Sequence, residues 1–215
     1  TYIPYDVYIA PGLIGMVLLF NGMQSSLAMV YDREMGLMRL LLTAPLPRAW
    51  LLFCKLCATA LLSVLQALAF VVVALLIGTE LPVFSWSVLH ALLALLGGAL
   101  MLGALGLLLS VHIKQLENFA GTMNFVIFPM YFMSTALYPL WKLQESGAEW
   151  VYQLARFNPF THAVEWIRFA LYGKDPGLAP WVVLGCLALF FGLACWGYDP
   201  QRGFGGLTKR GGGPA

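Results

Sequence analysis

Five stretches of the chain, residues 10–30, 56–77, 88–111, 119–137 and 178–198, contain no Asp, Glu, Lys or Arg. A helix needs about 20 apolar residues to cross the hydrocarbon of a bilayer, and each stretch reaches or approaches that length. No water is present in hydrocarbon to satisfy backbone N–H and C=O groups, so such segments have to be helices that bond internally. With 60% of its 215 residues hydrophobic and 10% charged, the chain lies outside the range of soluble domains. The predicted fold class is an all-α polytopic membrane protein with five visible transmembrane helices.

The segments that cannot enter hydrocarbon organise the rest. The most charged short one, residues 31–48 (YDREMGLMRLLLTAPLPR), lies between the first two apolar stretches. Asp32, Arg33, Glu34 and Arg39 would each cost about 2.5–3.5 kcal/mol at the centre of a spanning helix, so this elbow must meet water or another protein. Its pattern predicts a short helix with an apolar side that includes Met35, Met38 and Leu42, stopped by Pro45 near Thr43. Pro47 suits the first turn of the next helix.

Orientation follows from the cations, which accumulate in cytoplasmic loops. The elbow side holds eight Lys and Arg against four Asp and Glu, a balance of +4, and the other side four against six, or −2. The elbow is therefore predicted to be cytoplasmic and the amino end external. No signal peptide precedes the first stretch, so an external start implies an earlier span. Residues 1–198 read as a transmembrane unit, and the Gly-rich residues 199–215 as a flexible cytoplasmic tail.

The external segment, residues 138–177, has a pattern of its own. Asn158 is a good N-cap, Pro159 suits the first helical position and Gly173 the position beyond the last, which frames a helix of about four turns. Phe160, Ala163, Val164, Ile167 and Leu171 share one face, and His162, Glu165 and Arg168 another. Trp141, Trp150, Tyr152, Trp166 and Tyr172 are aromatics of the kind found at headgroup depth. This helix is expected to lie at, or dip into, the external interface. Pro129 deprives Phe125 of a backbone partner and predicts a kink in the fourth span. The pairs Ala94/Gly98, Ala99/Gly103 and Ala188/Gly192 allow close helix approach.

Several chemistries find no residues to carry them. The pattern GxxxxGK[ST] is absent, so any ATP must be handled by a partner. HExxH, GxSxG and paired intramembrane carboxylates are also absent, and within the apolar stretches, tyrosines apart, only His90 and the cysteines ionise. Cys54, Cys57, Cys186 and Cys195 read as small residues of membrane helices, because no second pair or histidine cluster accompanies the Cys54/Cys57 spacing. His90 reads as an interfacial residue, His112 and His162 as surface residues. No catalytic residue, metal site, cofactor or nucleic-acid surface is predicted.

Glu34-Met35-Gly36, Arg39, Leu41-Leu42, Thr43-Ala44-Pro45, Arg48 and Lys55 resemble the signature of ABC exporter permeases of the type-2 class. The resemblance continues through Tyr8-Ile9-Ala10-Pro11-Gly12 at the first span, and through Phe157-Asn158-Pro159-Phe160-Thr161 with Ile167-Arg168 in the external helix, and so covers most of the chain. The wording of residues 157–172 is most similar to the lipooligosaccharide and nodulation-factor exporter branch, although Cys54 stands where many members have Gly before the lysine.

The resemblance implies six spans with both ends in the cytoplasm, the first missing here, in a multi-pass protein of the bacterial inner (plasma) membrane. It further implies that Glu34, Gly36, Arg39, Thr43, Pro45 and Arg48 belong to a coupling helix region docking on a separate ATP-binding cassette subunit. Two permease copies, most simply a homodimer, would pair around the path among membrane lipids. The implied function is the membrane-spanning subunit of an ATP-driven exporter, with ATP hydrolysis left to the partner. An alternative reading of the same residues is a nontransporting membrane scaffold or sensor whose elbow binds a cytoplasmic protein.

Overall fold

The computed structural model describes residues 5–35, 48–78, 87–113, 116–140 and 149–197. Among them the chain is helical without strands: α1 (Tyr5–Glu34), α2 (Arg48–Leu76), α3 (Ser87–His112), α4 (Leu116–Phe132), α5 (Glu149–Phe157), α6 (Pro159–Leu171) and α7 (Ala179–Gly197). Four segments are long and apolar enough to cross a membrane, Tyr8–Asp32, Ala49–Leu76, Val88–His112 and Ala179–Gly197. The fold is that of an all-α polytopic membrane protein.

The centre of the bundle is α3, which packs against α1, α2, α6 and α7. It can be surrounded because small residues line several of its sides: Ala94, Gly98, Ala99 and Ala104 are all buried. The α1–α3 crossing is especially close. A Cβ on Gly22 would stand 2.9 Å from the Leu102 carbonyl carbon, a distance side chains do not tolerate against backbone. One turn beyond Gly22 and Gly106, the buried Ser26 and Ser110 keep the profile low and donate their hydroxyls to the Gly22 and Leu107 carbonyls. The contact is thus small-xxx-small on both helices. Of the pairs singled out in the sequence, Ala94/Gly98 and Ala99/Gly103 are packed inside, whereas Ala188 and Gly192 lie on the outer face of α7. On that face Trp181 and Trp196 stand exposed near opposite ends, where indole rings meet the two interfaces.

Several expectations change in detail. Helix α1 does not stop at residue 30 but carries Asp32 and Glu34 on its own last turn; residues 36–47 of the elbow and the tail after residue 197 lie outside the described residues. Helix α4 has 17 residues and ends at Phe132, where a span continuing to residue 137 was expected. Pro129 does not end it, since the Met133 N–H still reaches the Pro129 carbonyl. Ser134 ends it, because its hydroxyl donates to the Tyr131 carbonyl and accepts from the Ala136 N–H, a local bonding pattern that competes with the helix.

The segment after it forms two helices rather than one. Helix α5 escaped the sequence reading; it has Glu149 in its first turn and Arg156 in its last, matched to the helix dipole, with Trp150, Leu154 and Phe157 along an exposed stripe. Helix α6 is not laid on the surface. Phe160, Ala163, Val164, Ile167 and Leu171 are all buried, and the helix packs into α1, α3 and α7. It ends in a Schellman motif: Gly173 has φ +63°, its N–H reaches the Ala170 carbonyl, and the Lys174 N–H reaches that of Phe169.

Because backbone faces backbone at Gly22, Gly22→Val should force α1 from α3 and cost about 1–3 kcal/mol, read as a lower unfolding temperature in detergent. Gly185→Val, at a position with nothing within 4 Å, should leave the temperature unchanged.

Candidate functional site

At the end of the bundle opposite the elbow, two separate motifs meet on one turn. Tyr8 belongs to α1 and Arg168 to α6, and between them lies the turn that follows α4. The Tyr8 hydroxyl donates to the Thr135 carbonyl at 2.9 Å, and Arg168 Nη2 donates to the same oxygen at 2.8 Å. The guanidinium lies over the Tyr8 ring, 4.0 Å from its centroid, a cation–π contact. Four residues along, Gly12 lets the turn approach: a Cβ there would collide with the Ala136 carbonyl oxygen.

Asn158 serves two helices at once. Its Oδ1 accepts from the Phe160 N–H at 3.0 Å, capping α6, with Pro159 at the first helical position. Its Nδ2 donates to the carbonyls of Met130 at 2.7 Å and Met133 at 3.0 Å. These are acceptors that the end of α4 would otherwise strand. Among the sequence-selected residues, Asn158 and Arg168 therefore converge on residues 130–135. Neither Thr135 nor Tyr8 was singled out as a site residue, although Tyr8 opened a recognised motif; Thr135 gave no sequence signal because its backbone oxygen, not its side chain, is the shared acceptor.

The electrostatics of the cluster follow from burial. Desolvation pushes the Glu165 carboxyl above its ordinary value of 4.5, and His162 and Arg168 pull it only part of the way back. Desolvation also lowers Arg168, against the opposing influence of Tyr8, Glu165 and Tyr172. His162 is held by the Arg156 carbonyl across the α5–α6 junction. Thr135 Oγ1, Thr161 Oγ1 and Arg168 Nε are buried and make no hydrogen bond within the described protein. The arrangement can hold a turn in place and feel charge. Nothing in it presents a nucleophile with a base.

At the elbow end, Glu34 is the exposed last residue of α1, and Arg48 opens α2. Gly36, Arg39, Thr43 and Pro45 lie outside the described residues. What joins the two sides of the elbow is an ion pair absent from the sequence reading, Lys55 Nζ to Asp32 Oδ2 at 2.8 Å. Its groups are 28% and 30% exposed, so its energy is modest, about 0–1 kcal/mol; its geometric effect is to tie α1 to α2.

Two predictions test the cluster. Asn158→Leu should lose the cap, worth about 0.5–2 kcal/mol, and also deprotect residues 130–136 in hydrogen exchange, whereas Asn158→Asp should keep protection at residue 160 and lose it only on the α4 side. Pro159→Ala should do neither. For Glu165 the folded value lies above the unfolded one, so the stability due to its neutral form is complete below the ordinary value of 4.5 and is lost as pH rises through the folded value. The unfolding temperature of Glu165→Gln should lack this fall.

Residues 2–172 match the family model described as ABC-2 type transporter. The protein named "Putative transport permease ycf38" from Porphyra purpurea is 30% identical over 175 residues, covering 80% of this chain and 57% of that relative. Its namesake from Cyanophora paradoxa is 31% identical over 179 residues, covering 81% and 58%. The chain thus spans little more than half the length of these relatives. No solved structure matches it significantly. Because the family match takes in α1 through α6, and with them Asp32, Lys55, Tyr8, Thr135, Asn158 and Arg168, the chain belongs to the ABC-2 type transporter family.

Proposed function

We propose that this chain is the membrane-spanning subunit of an ATP-driven exporter, forming the substrate path with a second copy of itself and docking through the α1–α2 elbow on a separate ATP-binding cassette subunit in the cytoplasm. Family membership supports the transport role, and the lack of a phosphate-binding GxxxxGK[ST] pattern in these residues supports an ATP site on a partner. The exporter branch rests on the wording of residues 157–172 and the bacterial inner membrane on the family resemblance as a whole; both are part of the same proposal.

The observation that carries the reading is α1 itself. One helix runs from Tyr8, bonded to the far-end turn, to Glu34 at the elbow, 26 positions or about 39 Å. Asp32–Lys55 ties its elbow end to α2. A force applied at the elbow is delivered to α1 and α2 together and carried to Thr135. On an ideal helix, positions five apart point about 140° from each other, which does not favour a pair between Glu34 and Arg39.

Removing one member of a buried, hydrogen-bonded charge pair at an interface costs about 2–5 kcal/mol. Glu34→Ala and Arg39→Ala should therefore insert normally yet lower both copurification of the ATP-binding subunit and transport in proteoliposomes, and Gly36→Leu should act likewise by blocking close approach. Parental copurification and transport in all three would remove the elbow as the coupling element. Retention of a cytoplasmic protein without any transport would favour the scaffold.

A further inference from the structure

The α1–α2 contact has a second polar pair besides Asp32–Lys55. Asn21 Nδ2 donates to Gln66 Oε1. Asn21 lies eleven positions before Asp32, and Gln66 eleven positions after Lys55, about three helical turns in each case, so the two pairs occupy one line along an antiparallel contact. The ion pair sits at the elbow end. The amide pair sits deep in the membrane: Asn21 is one residue from the middle of the Tyr8–Asp32 span, and Gln66 about four from the middle of Ala49–Leu76.

Depth makes these amides costly. Gln66 is exposed and Asn21 half-buried, and Gln24, one turn from Asn21, is exposed on the side of α1 that faces away from the bundle. An amide left against hydrocarbon without partners carries a penalty of about 1–3 kcal/mol on protein scales, and each side chain has two donors and a two-lone-pair acceptor to satisfy. The single Asn21–Gln66 bond uses few of them. Leu65 and Val72, about 100–120° round α2 from Gln66, are exposed as well and offer no polar group. The amide face carries no charge, since Asp32 and Lys55 are about 16 Å away. Neutral donors and acceptors beside leucine match hydroxyl or amide groups on an otherwise apolar molecule.

We propose that Asn21, Gln24 and Gln66 form a recognition strip on the transport path, binding the uncharged, hydroxyl- or amide-bearing part of an amphiphilic cargo. The strip deepens the transport reading and rests on it for the word path.

The test uses single cysteines in the full chain with Cys54, Cys57, Cys186 and Cys195 replaced by alanine, reconstituted in lipid nanodiscs. Gln24→Cys and Gln66→Cys should react with a charged, water-soluble methanethiosulfonate, while Leu65→Cys and Val72→Cys should not. Octyl glucoside below its micellar concentration should slow reaction at positions 24 and 66 about fivefold, the worth of one net hydrogen bond, and octyl sulfate should not. Silence at position 24, disulfide formation between copies through it without aqueous labelling, or equal protection by octyl sulfate would each overturn the proposal. Position 24 alone decides the matter if Gln66→Cys, which breaks the pair with Asn21, fails to insert. Labelling requires neither ATP nor a partner, so a chain that labels as expected yet never transports would remove the exporter reading and leave the strip.

Discussion

A helix that ends inside a membrane protein strands its last carbonyls where water does not reach them. The far end of this bundle is arranged around that constraint. Helix α4 stops at Phe132, and the carbonyls of Met130, Tyr131, Met133 and Thr135 each receive a side-chain donor, from Asn158, Ser134, Asn158 again, and Tyr8 with Arg168. Those donors come from three different elements. The turn is therefore held by α1 and α6 as much as by its own sequence, and α6 is drawn into the bundle by the same bonds that satisfy the turn.

The cost of this arrangement falls on Glu165 and Arg168, half-buried groups whose charged forms are disfavoured by desolvation. Arg168 is compensated by an aromatic face, a carbonyl and a nearby carboxyl. Such a cluster makes a discrete contact that is either made or broken, because a charge removed from its partners here would stay desolvated.

The other organising feature is the packing of α1 on α3. Without a hydrophobic driving force between helices in lipid, close approach of backbones supplies the dispersion energy, and Gly22 and Gly106 with their serines permit it. This fixes which side of α1 is buried. By elimination it fixes which side is open, and so turns Gln24 outward while Asn21 meets Gln66 at the edge. In the sequence these amides stand in spans with few other hydrogen-bonding side chains.

The sequence by itself determined the all-α membrane class, the cores of α1, α2, α3 and α7, and the helix from Pro159 onward, because long uncharged apolar runs and a cap, proline and glycine in order depend only on local chemistry. It also carried the family wording at Tyr8, Asn158 and Arg168. Only the tertiary structure decided where α4 ends, since the deciding bonds join Ser134 to its neighbours and Asn158 to carbonyls 25 and 28 residues earlier. It likewise decided that Tyr8 and Arg168 share one carbonyl oxygen, and that Asp32 finds Lys55. Periodicity assigns a residue to a face of its own helix. Which helix that face meets, and in what register, is set by the packing of backbones that no single segment encodes.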